Sequence, residues 1–134
     1  MSENGTHVLG TSIAVRMPPG QVSSRMQEIM ARIADKWCML IVAILKDRPL
    51  RYSELGRRID GISQRMLTLS LRKLERDGLI VRTVVPISPP QVEYSLSEVG
   101  ISLLAHLELM VEWALSHENY IRDSRTRYDE LGGA

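Results

Sequence analysis

Two arginines seven residues apart, Arg65 and Arg72, bracket Thr68 and Leu69 at helical spacing, with Gln64 just ahead of them. These types suit one kind of chemistry. A guanidinium bonds a guanine edge as a bidentate fork, and a glutamine amide matches an adenine edge. A threonine hydroxyl reaches a base or a phosphate, and an apolar side chain touches a thymine methyl group. Residues three, four and seven apart share one helix face, so Arg65, Thr68, Leu69 and Arg72 form a surface suited to a DNA major groove. The plain alternative is a solvated charged face, and the helix alone does not separate the two.

What must position this face is legible around it. Ser63 is an N-cap type and Gly78 a helix-stopping residue, so a helix is expected from Ser63 to Asp77. Met66, Leu67, Leu71 and Leu74 make its apolar stripe. Tyr52 to Ile59 reads as a shorter helix, with Leu55 and Ile59 inward and Arg57 and Arg58 outward. The turn Asp60-Gly61-Ile62 joins the two, and two helices joined by a tight glycine-containing turn are a helix-turn-helix. Leu79 to Val85 is rich in β-branched residues, and Val92 to Ser97 alternates apolar with polar. The prolines of Pro86-Ile87-Ser88-Pro89-Pro90-Gln91 between them end any ladder. Helix, turn, helix, hairpin is the order of a winged helix-turn-helix: a mainly α fold with a small β-hairpin wing.

The chain resembles the HxlR family of bacterial transcription regulators, winged-helix proteins related to the MarR group. The resemblance rests on Lys36-Trp37, Arg51-Tyr52-Ser53-Glu54-Leu55, Gly61 to Thr68, Leu71 to Leu79 and Pro89 to Leu96, in that order. It runs from about residue 24 to about residue 130. It implies a homodimeric DNA-binding repressor or activator with no catalytic activity and no cofactor. Arg51, Ser53, Arg57, Lys73 and Arg76 are then candidates for phosphate contacts or helix orientation. Gln64, Arg65, Thr68, Leu69 and Arg72 are the base-reading candidates, with Ser63 at the start of their helix and Gln91 at the wing tip. Two positions depart from the pattern. Leu69 stands where the family usually has a long polar residue, and Gln91 where it often has a basic one. Arg82 is placed to pair with Glu93 across the hairpin or to meet phosphate.

The charge distribution agrees. The formal net charge is only +1, but Lys46 to Arg82 holds ten Lys or Arg against five Asp or Glu. Thr83 to Ile121 has no Lys or Arg and five glutamates. The basic stretch coincides with the helix-turn-helix, where cations displace counterions from DNA.

The remainder suits one domain, expected over residues 22–131, with a flexible arm over 1–21 and a flexible tail over 132–134. In the arm, Ile13, Ala14 and Val15 could pair as a short strand or lie across a partner subunit. Phenylalanine is absent, which suits helices packed through Leu, Ile, Val and Met. Ser23 or Ser24 can cap a helix to about Ala34, with Met26, Ile29, Met30 and Ile33 on its stripe. Lys36 to Lys46 is a nearly all-apolar helix, buried on most sides, ended by Pro49. Ser97 caps a last long helix carrying two apolar stripes: Val99, Leu103, Leu107, Met110, Ala114, and Ile101, Leu104, Val111, Leu115 broken by Glu108. One stripe can pack on its own domain. The other needs cover from the first helix, a two-fold partner or both. Related regulators dimerise through their first and last helices, so the dimer candidates are Met26, Met30, Val99, Leu103, Leu107, Met110, Val111 and Ala114. Ser116 to Leu131 is charged and expected to be helical in part.

Other chemistry finds little support. No apolar run is expected to approach the span of a membrane helix, and the N-terminus lacks a signal-peptide layout. A single cysteine and no leader point to a cytoplasmic home. Three scattered histidines do not make a metal site. Cys38 lies in the apolar helix, where a thiol is expected to be an inert core residue, with a redox switch as the alternative. Several relatives sense oxidants through a cysteine near the first helix, but this chain has Val22-Ser23-Ser24-Arg25-Met26 there. A small-molecule effector could enter beside Met30, Met39 and Met110. The rival function is a ligand-responsive dimeric interaction module without specific DNA binding.

Overall fold

A computed structural model describes residues 20–133. Most of the expected arm, including Ile13 to Val15, lies outside the described residues. The chain divides at Ala34 and Asp35 into two compact units, so the expected boundary near residue 21 falls inside the first. The described part of that first unit is dominated by α1, Ser24–Ile33. Ser23 is its cap, accepting the Met26 N–H at 3.1 Å. None of its residues is buried, and Met26, Ile29 and Met30 are exposed.

The second unit holds α2 (Lys36–Ile44), β1 (Leu50–Arg51), α3 (Tyr52–Arg58), α4 (Gln64–Arg76), β2 (Ile80–Val85), β3 (Gln91–Leu96), α5 (Glu98–Ser116) and α6 (Glu118–Glu130). Its core joins Cys38, Ile41 and Val42 of α2 to Leu55 of α3 and to Leu67, Leu71 and Leu74 of α4. Leu50, Ile80 and Leu104 close it from the strands and from α5. The strands form one antiparallel sheet in the order β1-β3-β2. This is a winged helix-turn-helix: three helices, a two-stranded wing, and a short strand that anchors the wing to the helices.

Local chemistry sets the ends of α4. Ser63 Oγ accepts the Met66 N–H at 3.0 Å, satisfying one orphan donor of the first turn. At the other end Gly78 has φ +76°. The Leu79 N–H donates to Leu74 O at 2.9 Å, and the Gly78 N–H to Glu75 O at 3.0 Å. This is a Schellman closure, which needs a left-handed residue. It turns the chain into β2 and drops Leu79 and Ile80 onto the core.

Four readings need correction. The buried stripe of α4 is Leu67, Ser70, Leu71 and Leu74, with Met66 only half-buried at its edge. The hairpin register sets Arg82 opposite Tyr94 and Thr83 opposite Glu93. Arg82 and Glu93 therefore lie on opposite faces of the sheet, which excludes the expected direct pair. The stripes of α5 divide differently too: Leu104 is buried, with Leu103 and Leu107 packed against the core. Lastly, α5 is long and apolar enough by length and composition to cross a membrane, having 19 residues and a mean hydropathy of 1.4. Its apolar residues span two faces, one of which meets the core at Leu104, while Glu108 accepts from Lys46, in the turn after α2, at 2.6 Å.

Candidate nucleic-acid interface

The outward face of α4 is what its inward stripe leaves over. Gln64, Arg65, Leu69 and Arg72 are exposed and Thr68 is half-buried, while Leu67, Ser70, Leu71 and Leu74 are buried behind them. An open depression is lined by Tyr52, Gln64, Arg65, Thr68, Leu69 and Arg72. Five of these six are the expected base-reading residues. Arg65 and Arg72 lie two turns apart, roughly 10 Å along the axis. Among the described residues neither makes an ion pair, so both guanidinium groups face solvent ready for acceptors. Leu69, 40% exposed, sets an apolar contact between them.

Tyr52 is the member that sequence reasoning missed. It stands at the first position of α3, and its phenol bridges the two helices of the motif. The hydroxyl donates to Gln64 O at 2.9 Å and contacts Thr68 Oγ1 at 2.8 Å. No sequence spacing encodes this contact, because it depends on the angle at which α3 crosses α4. Its only trace is a tyrosine at a helix start, where core packing alone needs no hydroxyl.

The other candidates take varied places. Ser53 and Arg57 are exposed on α3, and Arg76 is exposed in the last turn of α4. Arg51 precedes α3, and its backbone N–H donates to Glu54 Oε1 at 3.0 Å. That bond holds the Glu54 carboxyl below the usual carboxylate range, assisted by the Arg48 side chain and opposed by partial burial. The guanidinium groups of Arg48 and Arg51 lie 3.4 and 3.7 Å from the same carboxylate. Lys73 points to Asp35 at 3.8 Å, and Asp35 caps α2 by accepting the Cys38 N–H. Gln91 opens β3 at the far end of the wing, half-buried.

The dimer candidates divide. Leu103 and Leu107 are partly buried on the core. Val99, Met110, Val111 and Ala114 are exposed, as are Met26 and Met30 on α1. Trp113 and Leu115 extend the exposed face of α5 at 58% and 69%. Of the effector-site methionines, Met39 is in the core and Met110 is exposed. Among the described residues no group of three His, Cys, Asp or Glu side chains is gathered for a metal.

Comparison with known proteins places this geometry. Residues 32–122 match the family model described as HxlR-like helix-turn-helix. An HTH-type transcriptional regulator of Methanothermobacter thermautotrophicus is 47% identical over 92 residues, 69% of this chain and 70% of that one. Among solved structures, one described as the transcriptional regulator ytfH of Salmonella typhimurium superposes with a TM-score of 0.68 at 32% identity. It covers 75% of this chain and 89% of its own. The reduced form of the transcriptional regulator YodB from B. subtilis gives a TM-score of 0.62 at 34% identity, covering 70% and 92%.

Proposed function

The chain belongs to the HxlR-like helix-turn-helix family of DNA-binding transcription regulators, and from that premise we propose that it is a homodimer reading a pseudo-palindromic operator through the first half of α4. The observation that carries this reading is the exposed face Gln64, Arg65, Thr68, Leu69 and Arg72, backed by the buried Leu67, Leu71 and Leu74. A helix anchored on one side and polar with unpaired cations on the other is suited to lie in a major groove. Arg65 and Arg72 read guanine edges, Gln64 an adenine edge, and Leu69 a thymine methyl group. Ser53, Arg57 and Arg76 meet phosphates on either flank, with Arg51 and Lys73 fixing helix orientation. Gln91 brings the wing to the neighbouring backbone without adding charge.

The second copy accounts for the exposed apolar face of α5. Val99, Met110, Val111 and Ala114 are the dimer contacts of α5, with Leu103 and Leu107 behind them on the core, and Met26 and Met30 are the separate dimer contacts of α1. The reading assigns no catalytic activity to the chain and places it in the cytoplasm with the chromosome. Footprinting on the DNA upstream of its own coding region tests the reading. Two protected half-sites about one helical turn apart, or a multiple of it, are expected from a two-fold dimer. Protection without two-fold symmetry would overturn it.

A further inference from the structure

We propose that Tyr52 sets the base preference of Thr68, by taking the threonine's only hydroxyl proton and leaving it an acceptor toward DNA. This inference rests on α4 being the groove reader. The count of available protons sets this polarity. A phenol has one O–H, and the carbonyl of Gln64 cannot donate, so the 2.9 Å contact is the phenol donating to Gln64 O. Gln64 O has two lone pairs. Helix geometry gives one to the Thr68 N–H, four residues on, and Tyr52 takes the other. The phenol proton being spent, the 2.8 Å contact between Tyr52 and Thr68 Oγ1 is satisfied by the threonine hydroxyl donating to the phenol oxygen. Both lone pairs of Thr68 Oγ1 then remain, and it has no proton to offer.

Thr68 and the edge of Tyr52 both line the depression on the outer face of α4, so this polarity is presented to whatever enters. In a major groove the donors are the amino groups of adenine N6 and cytosine N4. Guanine N7 and O6 and thymine O4 are acceptors. An acceptor-only Thr68 therefore favours adenine or cytosine at the base it meets and opposes guanine and thymine. Tyr52 is a positioning residue here: it touches no base and acts through the hydroxyl it orients.

The test is selection from a random duplex library with full-length wild type, Tyr52→Phe, Thr68→Val and the double variant. For wild type, one position in each half-site should be restricted to adenine or cytosine on the contacted strand, by roughly tenfold over guanine or thymine. Tyr52→Phe frees the threonine proton and should relax that position alone. The remaining selected positions, the affinity for random DNA and its salt dependence should stay as in wild type. Thr68→Val should relax the same position, and adding Tyr52→Phe to it should change nothing more. Tyr52→Phe that keeps the wild-type preference would overturn the proposal. So would Tyr52→Phe that weakens every sequence alike, which would leave the tyrosine a structural brace. A wild-type protein that selects no sequence and shows no salt-dependent binding would overturn the groove-reading assignment itself.

Discussion

The Lys46 ammonium lies 2.6 Å from Glu108 Oε2, joining the turn that follows α2 to the middle of α5. Both side chains are about half exposed (53% and 49%), so the pair orients α5 more than it stabilises it. The hydrogen bond to Glu108, and then its charge, hold the Lys46 pKa above its ordinary 10.5. A raised folded-state pKa contributes stability below the unfolded value of 10.5 and loses it as pH climbs through the folded one. Glu108→Gln should therefore melt close to wild type at neutral pH. Any small deficit should vanish in high salt and again at alkaline pH. Thermal melts across pH check this, and a deficit that persisted in strong alkali would contradict the pair as its source.

Gly100 should resist replacement. A Cβ there would run into the backbone carbonyl of Leu79 and press on Leu96 Cδ2 at 3.3 Å. In an unconstrained helix interior, Gly→Ala gains up to about 1 kcal/mol. Here the obstacle is backbone, which cannot swing aside. Gly100→Ala should cost about 1–3 kcal/mol, read from urea denaturation, and a stabilised variant would show that the start of α5 does not lie against Leu79 and Leu96.

Ser70 offers the opposite result. It is fully buried, and its Oγ has no hydrogen-bond partner among the described residues. Its small side chain lets α2 come close to α4, where Cys38 Sγ lies 3.9 Å from Ser70 O. Ser70→Ala removes the unsatisfied hydroxyl and keeps the small volume, so it should stabilise by about 1 kcal/mol. DNA affinity should be unaltered. A destabilised variant in the same denaturation assay would mean that the hydroxyl has a partner.

The contrast between α4 and α5 shows what sequence could convey. The caps, length and outer face of α4 were legible, because Ser63, Gly78 and the spacing of Arg65, Thr68 and Arg72 act within the helix itself. The exchange of Met66 for Ser70 on its buried side was not. A serine reads as polar until one sees how closely α2 packs there. The stripes of α5 were drawn from periodicity, but the core takes Leu104 together with Leu103 and Leu107, a choice made by the crossing of α5 over α2. The register that parts Arg82 from Glu93 was hidden for a similar reason, since loop length and not strand composition fixes it. β1, two residues long, is below any alternation signal. Tyr52 was visible as a motif residue and its bond to Thr68 was not.

The exposed face of α5 predicts the assembly. Met110 is 58% exposed and lies beyond the core contacts, so a charge there should not disturb the fold of the unit. Met110→Glu combined with Leu115→Glu should convert a dimer to monomers with intact circular dichroism and weakened operator binding. Light scattering on the wild type provides the control, and a wild-type monomer at working concentration would remove the dimer from the account.

The most direct test of the central claim is the binding of Arg65→Ala to the selected operator and to random duplex, measured by fluorescence anisotropy over a range of salt. If α4 reads bases through this face, the operator affinity should fall by about 1–3 kcal/mol. Preference at one position per half-site should relax, and binding to random duplex should change far less. Arg76→Ala, at the far end of the helix, should instead weaken both duplexes alike and lower the salt slope by about one unit. An Arg65→Ala protein with unaltered operator affinity and unaltered preference would contradict the account and move the reading surface off α4.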